Sequence, residues 1–249
     1  MALEPANNSD DPPLGGPSIV APALWNSGDN PGRPLTAEER GLLAAISTIV
    51  RFRKGERIYQ EGDRASAVFN IITGVVRSYK TSADERGYTV SFLFPDDLIG
   101  LAESGKYVNA TEAVTAVTMY RIPTAALEVR LRNNPSLDFQ IISKLCHDLR
   151  ETQHHAFLLS RRHAIARVGL FLQMLETHQA AREGGAGEVY LPMTRSDIGA
   201  YVGISPEAVS RSLRELATQG VITLRDRRHA KIINRMLLET LISEATSSR

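Results

Sequence analysis

The sequence predicts an α+β chain: a β-barrel or jelly roll in the N-terminal half, one long helix after it, and a winged helix-turn-helix at the C-terminus. Three observations predict this. Short β-rich runs punctuated by glycine fill the stretch from Val50 to Pro123. Between Pro135 and Pro192 no proline occurs, and apolar residues recur at helical spacing. Arg195–Gln219 then has the pattern of two short helices joined by a glycine turn. With 249 residues the chain has room for two domains and a tail.

Residues 1–34 hold seven of the twelve prolines, with scattered Gly, Asn and Asp and no periodicity, so they read as a disordered arm. Thr36 is an N-cap ahead of Glu38 and Glu39, and Leu42, Leu43, Ile46 and Ile49 make one apolar helical face. The β-rich runs are Arg57–Gln60, Val68–Ile72, Val75–Lys80, Tyr88–Phe94 and Ala113–Ile122, separated by Gly55, Gly62, Gly74, Gly87, Gly100 and Gly105. Strands this short and regular place a barrel or jelly roll in residues 35–134.

Residues 135–163 read as a dimerisation helix. Ile142, Leu145, Leu149, Thr152, Ala156 and Leu159 alternate spacings of three and four, a coiled-coil seam along which two chains would pair. The competing reading packs this helix on its own barrel, because Thr152 and Ala156 are weak seam residues. Cys146, beside the seam, reads as a small buried packing residue or, alternatively, a redox sensor.

Residues 164–249 open with a helix at about Ala164–Arg182 and a glycine-rich surface loop at Glu183–Glu188. Ile198, Val202, Ile204, Val209, Leu213 and Leu216 then supply the apolar positions of a helix-turn-helix. Gly199 allows close crossing, and Gly203 falls where the turn needs a positive φ. Ser205 caps the second helix and Pro206 starts it. On its free face Glu207, Ser210, Arg211 and Arg214 stand at i, i+3, i+4 and i+7. Glu207 can accept from the cytosine amine and Arg211 can donate to both guanine acceptors, so Glu207 and Arg211 are candidate DNA base readers. A surface ion pair is the bland alternative for Glu207 and Arg211. Two β-rich runs flank Arg225-Asp226-Arg227-Arg228-His229, a wing with a basic tip. Thr194, Arg195, Ser205, Arg214, Arg225, Arg227, Arg228 and Lys231 are the candidate phosphate contacts.

Charge and motifs narrow the function class. The net charge is only +1, yet Tyr190–Arg235 carries eight Lys/Arg against four Asp/Glu, so the C-terminal part is the basic one. A single cysteine excludes a disulfide framework or a four-thiolate metal site within one chain. No HExxH, GxSxG, Walker or dinucleotide motif stands in a supporting context, so the chain does not read as an enzyme. No run is long enough for a membrane span and no signal peptide is evident, which points to a soluble protein of the cytoplasm.

Lys54-Gly55-Glu56, Glu61-Gly62-Asp63, Ile72-Thr73-Gly74-Val75-Val76-Arg77, Phe94-Pro95-Asp96-Asp97-Leu98-Ile99-Gly100 and the helix-turn-helix together resemble the CRP/FNR superfamily of bacterial transcription regulators, over about Leu35–Leu241. The resemblance implies a cyclic-nucleotide-binding-like β-roll ahead of the long dimer helix. Glu207-Ala208-Val209-Ser210-Arg211 is similar to the E-x-x-S-R pattern of the FNR/FixK type. That implies a homodimer on an inverted repeat like TTGAT-N4-ATCAA, more often activating than repressing, with Ser210 joining Glu207 and Arg211 as a base reader that distinguishes this half-site from that of CRP. Thr81–Gly87 and Glu183–Glu188 sit where activators of this family touch RNA polymerase.

The sensor half departs from the cyclic-AMP-binding members. Where they place a Glu and an Arg-Ser pair, Gly100–Thr111 has Leu101 and no Arg, so the charge-assisted phosphate contact is missing and cyclic nucleotide control is not expected. The first 34 residues lack the cysteine cluster of an oxygen-labile iron–sulfur centre. Three sensor readings stay open: a FixK-like protein active without ligand or cofactor, a haem sensor using His147, His154 and His155, and redox control at Cys146.

Overall fold

The structure is a computed structural model that describes residues 37–81, 87–183 and 187–244. The arm at 1–34, the Thr36 cap, residues 82–86 of the first loop and 184–186 of the second lie outside the described residues.

A short helix α1 (Ala37–Ala44) precedes eight strands: β1 (Thr48–Phe52), β2 (Arg57–Tyr59), β3 (Ala67–Thr73), β4 (Val76–Thr81), β5 (Gly87–Leu93), β6 (Leu98–Ile99), β7 (Ala110–Ala113) and β8 (Val117–Pro123). They form two four-stranded antiparallel sheets, ordered β1-β8-β3-β6 and β2-β7-β4-β5. Strand β3 shows why its sequence does not alternate between apolar and polar residues. Ala67, Phe69 and Ile71 face the interior of the roll with Val76, Val117 and Met119. Val68, on the other face, packs with Leu43, Leu98, Ile122, Leu127, Leu137 and Ile141 beneath the helices. A strand buried on both faces needs no polar side.

Three sequence expectations change here. Ala113–Ile122 is two strands, β7 and β8, because the chain breaks at Thr115 to let the Val114 and Thr115 amides bond the Val75 carbonyl. Strands β1 and β6 went unforeseen, and Ile49 lies on β1, 45% exposed, rather than on the first helix. Cys146 is exposed, not buried, since it faces away from the roll.

Helix α2 (Thr124–Arg132) follows β8, and α3 (Pro135–Ser160) runs for 26 residues, about 39 Å at 1.5 Å per residue. Leu137, Ile141, Lys144, His147 and Leu158 are its buried side. Lys144 is held there by Asp97, 3.2 Å away, and by Asp148. Asp97 also accepts the Phe94 amide at 2.8 Å, so one buried carboxylate fastens the β5–β6 turn to α3.

The C-terminal part comprises α4 (Ala164–Glu183), β9 (Val189–Tyr190), α5 (Arg195–Val202), α6 (Pro206–Thr218), β10 (Ile222–Leu224), β11 (His229–Ile232) and α7 (Arg235–Glu244), with strand order β10-β11-β9. Phe171, Leu172, Leu175, Ile198, Val202, Val209, Leu213 and Leu216 form its core. Phe92 and Phe94 from β5 and the turn after it belong to the same core, and the Phe92 ring lies 5.4 Å from that of Tyr201 on α5. Burying a Phe side chain contributes about 1.5 to 3 kcal/mol, so the roll and the helix-turn-helix are joined by more than their linker. Among the described residues no helix is long and apolar enough to cross a membrane.

Candidate nucleic-acid interface

Local chemistry sets both helix starts. Thr194 Oγ1 accepts the Asp197 amide at 3.1 Å while Asp197 Oδ2 accepts the Thr194 amide at 2.9 Å, a reciprocal capping box that begins α5. Ser205 Oγ accepts the Ala208 amide at 3.2 Å, and Pro206 takes the first helical position of α6.

The turn between them needs both glycines. Gly203 ends α5 at φ +69°, in the left-handed region. At Gly199 a Cβ would lie 2.6 Å from the Ile204 carbonyl oxygen, so the close approach predicted there is to the turn's backbone. The sequence reading missed Arg167, on α4: its Nη1 donates to the Val202 and Gly203 carbonyls, each at 3.1 Å, and closes the C-terminal end of α5. Cations favour that end of a helix. No spacing pattern marks Arg167, because its partners are 35 and 36 residues away.

Helix α6 is strongly two-sided. Val209, Ser212, Leu213 and Leu216 are buried, while Glu207, Arg211 and Arg214 are exposed and Ser210 is half-buried. Ser210 Oγ donates to the Pro206 carbonyl at 3.0 Å, leaving the hydroxyl oxygen free to accept. The Glu207 carboxyl is held below the usual carboxylate range by its own backbone amide and then by the Ser205 hydroxyl, so it stays ionised and acts as an acceptor only.

The wing is a hairpin of β10 and β11, and Asp226 builds its tip by accepting from the Arg228 amide at 2.6 Å and from His229 Nδ1. Arg195 Nη2 donates to the Arg227 carbonyl at 2.8 Å, which staples α5 to the wing. Arg195, Ser210, Arg214 and Arg227 line one open cleft of about 640 Å³ between α6 and the wing, with Leu213, Leu224 and Asp226. Arg225 is turned aside, its Nη1 2.6 Å from Glu188 Oε2, whereas Arg228 and Lys231 are exposed on the hairpin.

All six seam residues lie on the exposed side of α3: Ile142 is 50% exposed, Leu145 47%, Leu149 60% and Leu159 38%, with Thr152 and Ala156 also exposed. Phe139 and Phe157 are exposed on α3 as well. The three helix histidines go different ways. His147 is buried, His154 faces Glu151, and His155 stacks on Tyr201 at 4.0 Å while its Nε2 bonds the Tyr201 carbonyl. Among the described residues no three His, Cys, Asp or Glu side chains are grouped to hold a metal ion.

These parts agree with what comparison finds. Residues 49–134 match the model of the cyclic nucleotide-binding domain, and residues 166–241 match that of the Crp-like helix-turn-helix domain. The nitrogen fixation regulation protein FixK of Bradyrhizobium diazoefficiens is 33% identical over 190 residues, 76% of this chain and 80% of that protein. The chain belongs to the CRP/FNR family of transcription regulators, on its FixK-like branch. FixK of Azorhizobium caulinodans is 29% identical over 236 residues, covering 93% of this chain and 95% of its own. The solved structure of FixK2 from Bradyrhizobium japonicum superposes with a TM-score of 0.73 at 33% identity, over 79% of this chain and 97% of that one. The family consists of regulators rather than enzymes, and its helix-turn-helix indicates binding to DNA.

The family's cyclic nucleotide does not fit the residues present. From the segment that would cradle ribose and phosphate, Tyr107 turns into the roll, 6% exposed, stacked on Tyr59 with ring centroids 3.8 Å apart. Its hydroxyl donates to the Ala67 carbonyl at 2.7 Å, which fixes the ring there. Burial pushes the Tyr59 hydroxyl up to about 12, so it adds no anion or cation to the interior. The interior is filled by the chain's own rings, without a guanidinium on the Gly100–Thr111 segment to pair with a phosphate.

Proposed function

We propose that this chain is a homodimeric transcription activator that reads a TTGAT-N4-ATCAA-like palindrome without a bound cofactor. Glu207, Ser210 and Arg211 read base edges. Thr194, Arg195, Ser205, Arg214, Arg225, Arg227, Arg228 and Lys231 engage phosphates, Arg225 after release from Glu188. Ile142, Leu145, Leu149, Thr152, Ala156 and Leu159 form the seam between protomers, and each recognition helix enters one of two successive major grooves about 34 Å apart. Residues 35–134, 135–163 and 164–249 are the effector-like, dimerisation and DNA-binding parts, working in the cytoplasm in contact with RNA polymerase.

The observation that carries this reading is α6: an apolar side anchored in the core, and an opposite side that leaves Glu207 and Arg211 in solvent within the first two turns of a capped helix start. The filled roll supports activity without a cyclic nucleotide. Duplex titration tests it. Arg211→Ala should lose about 1 to 3 kcal/mol on the palindrome and relax preference at one base pair, whereas Arg227→Ala should weaken all duplexes alike and flatten the salt dependence. Full affinity and full sequence preference in Arg211→Ala would sink the assignment of α6 as the reader.

A further inference from the structure

Arg77 ends the Ile72–Arg77 phrase on β4, and neither the roll's core nor the DNA-reading face accounts for it. Its Nη1 lies 2.7 Å from Asp197 Oδ1, across 120 residues of sequence. Its Nη2 reaches Glu112 Oε2 on β7 at 3.4 Å, and the guanidinium stands over the Tyr79 ring, 4.9 Å from its centroid. The Arg77 and Asp197 side chains are 24% and 17% exposed. Asp197 is the residue that closes the capping box: its other oxygen, Oδ2, accepts from the Thr194 amide at 2.9 Å and the Thr194 hydroxyl at 2.7 Å. One carboxylate therefore starts α5 with one oxygen and holds the roll with the other.

We propose that Arg77 is a positioning residue for DNA recognition: acting through Asp197, it fixes the orientation of α5 and α6 against the β-roll and thereby sets the distance between the two recognition helices of the dimer. Among the described residues two kinds of contact join the roll to the C-terminal part: apolar packing, in which Phe92 and Phe94 enter the core around Phe171 and Tyr201, and the Arg77–Asp197 ion pair. The Phe92–Tyr201 packing is apolar and has little directional preference, so it tolerates sliding. The Arg77–Asp197 contact is a charge-assisted bond with a set length and direction, and Glu112 and Tyr79 steady its guanidinium. Because α3 joins the rolls in the dimer, a rotation of α5 about its start changes the separation of the two α6 helices. Arg77 also offsets the Asp197 carboxylate, which would otherwise repel the phosphates approaching Thr194 and Arg195. This inference rests on the proposed palindrome-reading dimer.

The test uses the full chain with Arg77→Gln, Arg77→Lys and Asp197→Asn, and duplexes whose TTGAT and ATCAA half-sites are separated by the four-base-pair spacer or by one base pair more or fewer. Loss of one charge-assisted contact should weaken Arg77→Gln on the four-base-pair spacer by roughly tenfold. The clamp also predicts that its preference over the altered spacers narrows by roughly fivefold, since a looser domain accepts other spacings. Arg77→Lys should restore part of both, and in the Asp197→Asn background Arg77→Gln should add little. Amide hydrogen exchange of the DNA-free protein supplies a second arm: the Asp197–Gly199 amides should exchange faster in Arg77→Gln. An unchanged spacer preference with unchanged exchange overturns the proposal, as does an Arg77→Gln effect that persists undiminished beside Asp197→Asn. If the unmodified chain fails to prefer the palindrome over a scrambled duplex, the base-reading assignment falls, and the exchange arm still decides whether Arg77 holds α5.

Discussion

Replacing Gly199 by alanine sets two effects of opposite sign against each other. Helix propensity alone favours alanine by about 1 kcal/mol within a helix. The packing reverses that. The added Cβ would stand 2.6 Å from the Ile204 carbonyl oxygen, 3.4 Å from the Pro206 nitrogen and 3.5 Å from the Ser205 carbonyl carbon, all backbone atoms. The turn must yield by about 0.8 Å to bring the first of these to an ordinary 3.4 Å contact. It cannot do so without disturbing the Ile204 amide, bonded to the Gly199 carbonyl at 3.1 Å, and the Ser205 cap behind it. Overpacking of this kind costs about 1 to 3 kcal/mol, and a backbone obstacle argues for the upper end. The net is a destabilisation of about 2 kcal/mol, or roughly 4 to 8 °C in Tm for a chain of this size. The displaced start of α6 should also lower preference for the palindrome.

Gly41→Ala is the control. It lies on the exposed side of α1 with nothing within 4 Å of its would-be Cβ, so the same substitution should stabilise by up to about 1 kcal/mol. Thermal melts of both variants, with a duplex titration of the first, check the argument. A Gly199→Ala protein as stable as the parent, with undiminished preference for the palindrome, would refute it.

Three further outcomes are expected. Lys144→Met strands the buried Asp97 carboxylate and should cost about 3 to 5 kcal/mol in urea unfolding, part of it returned by adding Asp97→Asn. Leu149→Glu puts a charge at a central seam position, 60% exposed on the single chain, and should shift sedimentation from dimer to monomer and abolish palindrome binding while leaving the fold intact. Burial first, then the Lys144 ammonium, hold His147 neutral down to about pH 4 against 6.5 for a free imidazole. The unfolded chain takes up a proton across that window that the folded chain refuses, so this residue's contribution is present above pH 6.5 and is lost as pH falls toward 4. The Tm of His147→Gln should accordingly fall less than the parent's between those limits; parallel curves would contradict the assignment.

The helix-turn-helix was legible because its determinants are local. Thr194, Ser205, Pro206 and Gly203 act on their own neighbours within a few residues, and the α6 stripe has helical period, so caps, turn and buried face appear in a single line of sequence. The apolar stripe on the exposed side of α3 was legible for the same reason. Strands β1 and β6 were not: each is short, and β1 exists through pairing with β8 some 70 residues on, which no local pattern encodes. Arg167 and Tyr107 escaped likewise, one a cation defined by distant carbonyls and the other an aromatic whose inward turn depends on Tyr59.

The sequence by itself determined the order of secondary-structure elements in the helix-turn-helix, the two-sided character of its second helix and the absence of an arginine from Gly100–Thr111. Periodicity, capping chemistry and residue type are properties of short windows. Only the tertiary structure decided that the roll's interior is filled by Tyr59 and Tyr107, that Arg195 staples the wing and Arg225 faces Glu188, and that Arg77 ties the roll to the capping carboxylate of α5. Each of these joins side chains far apart along the chain, and contacts of that kind exist only once the backbone has brought their ends together.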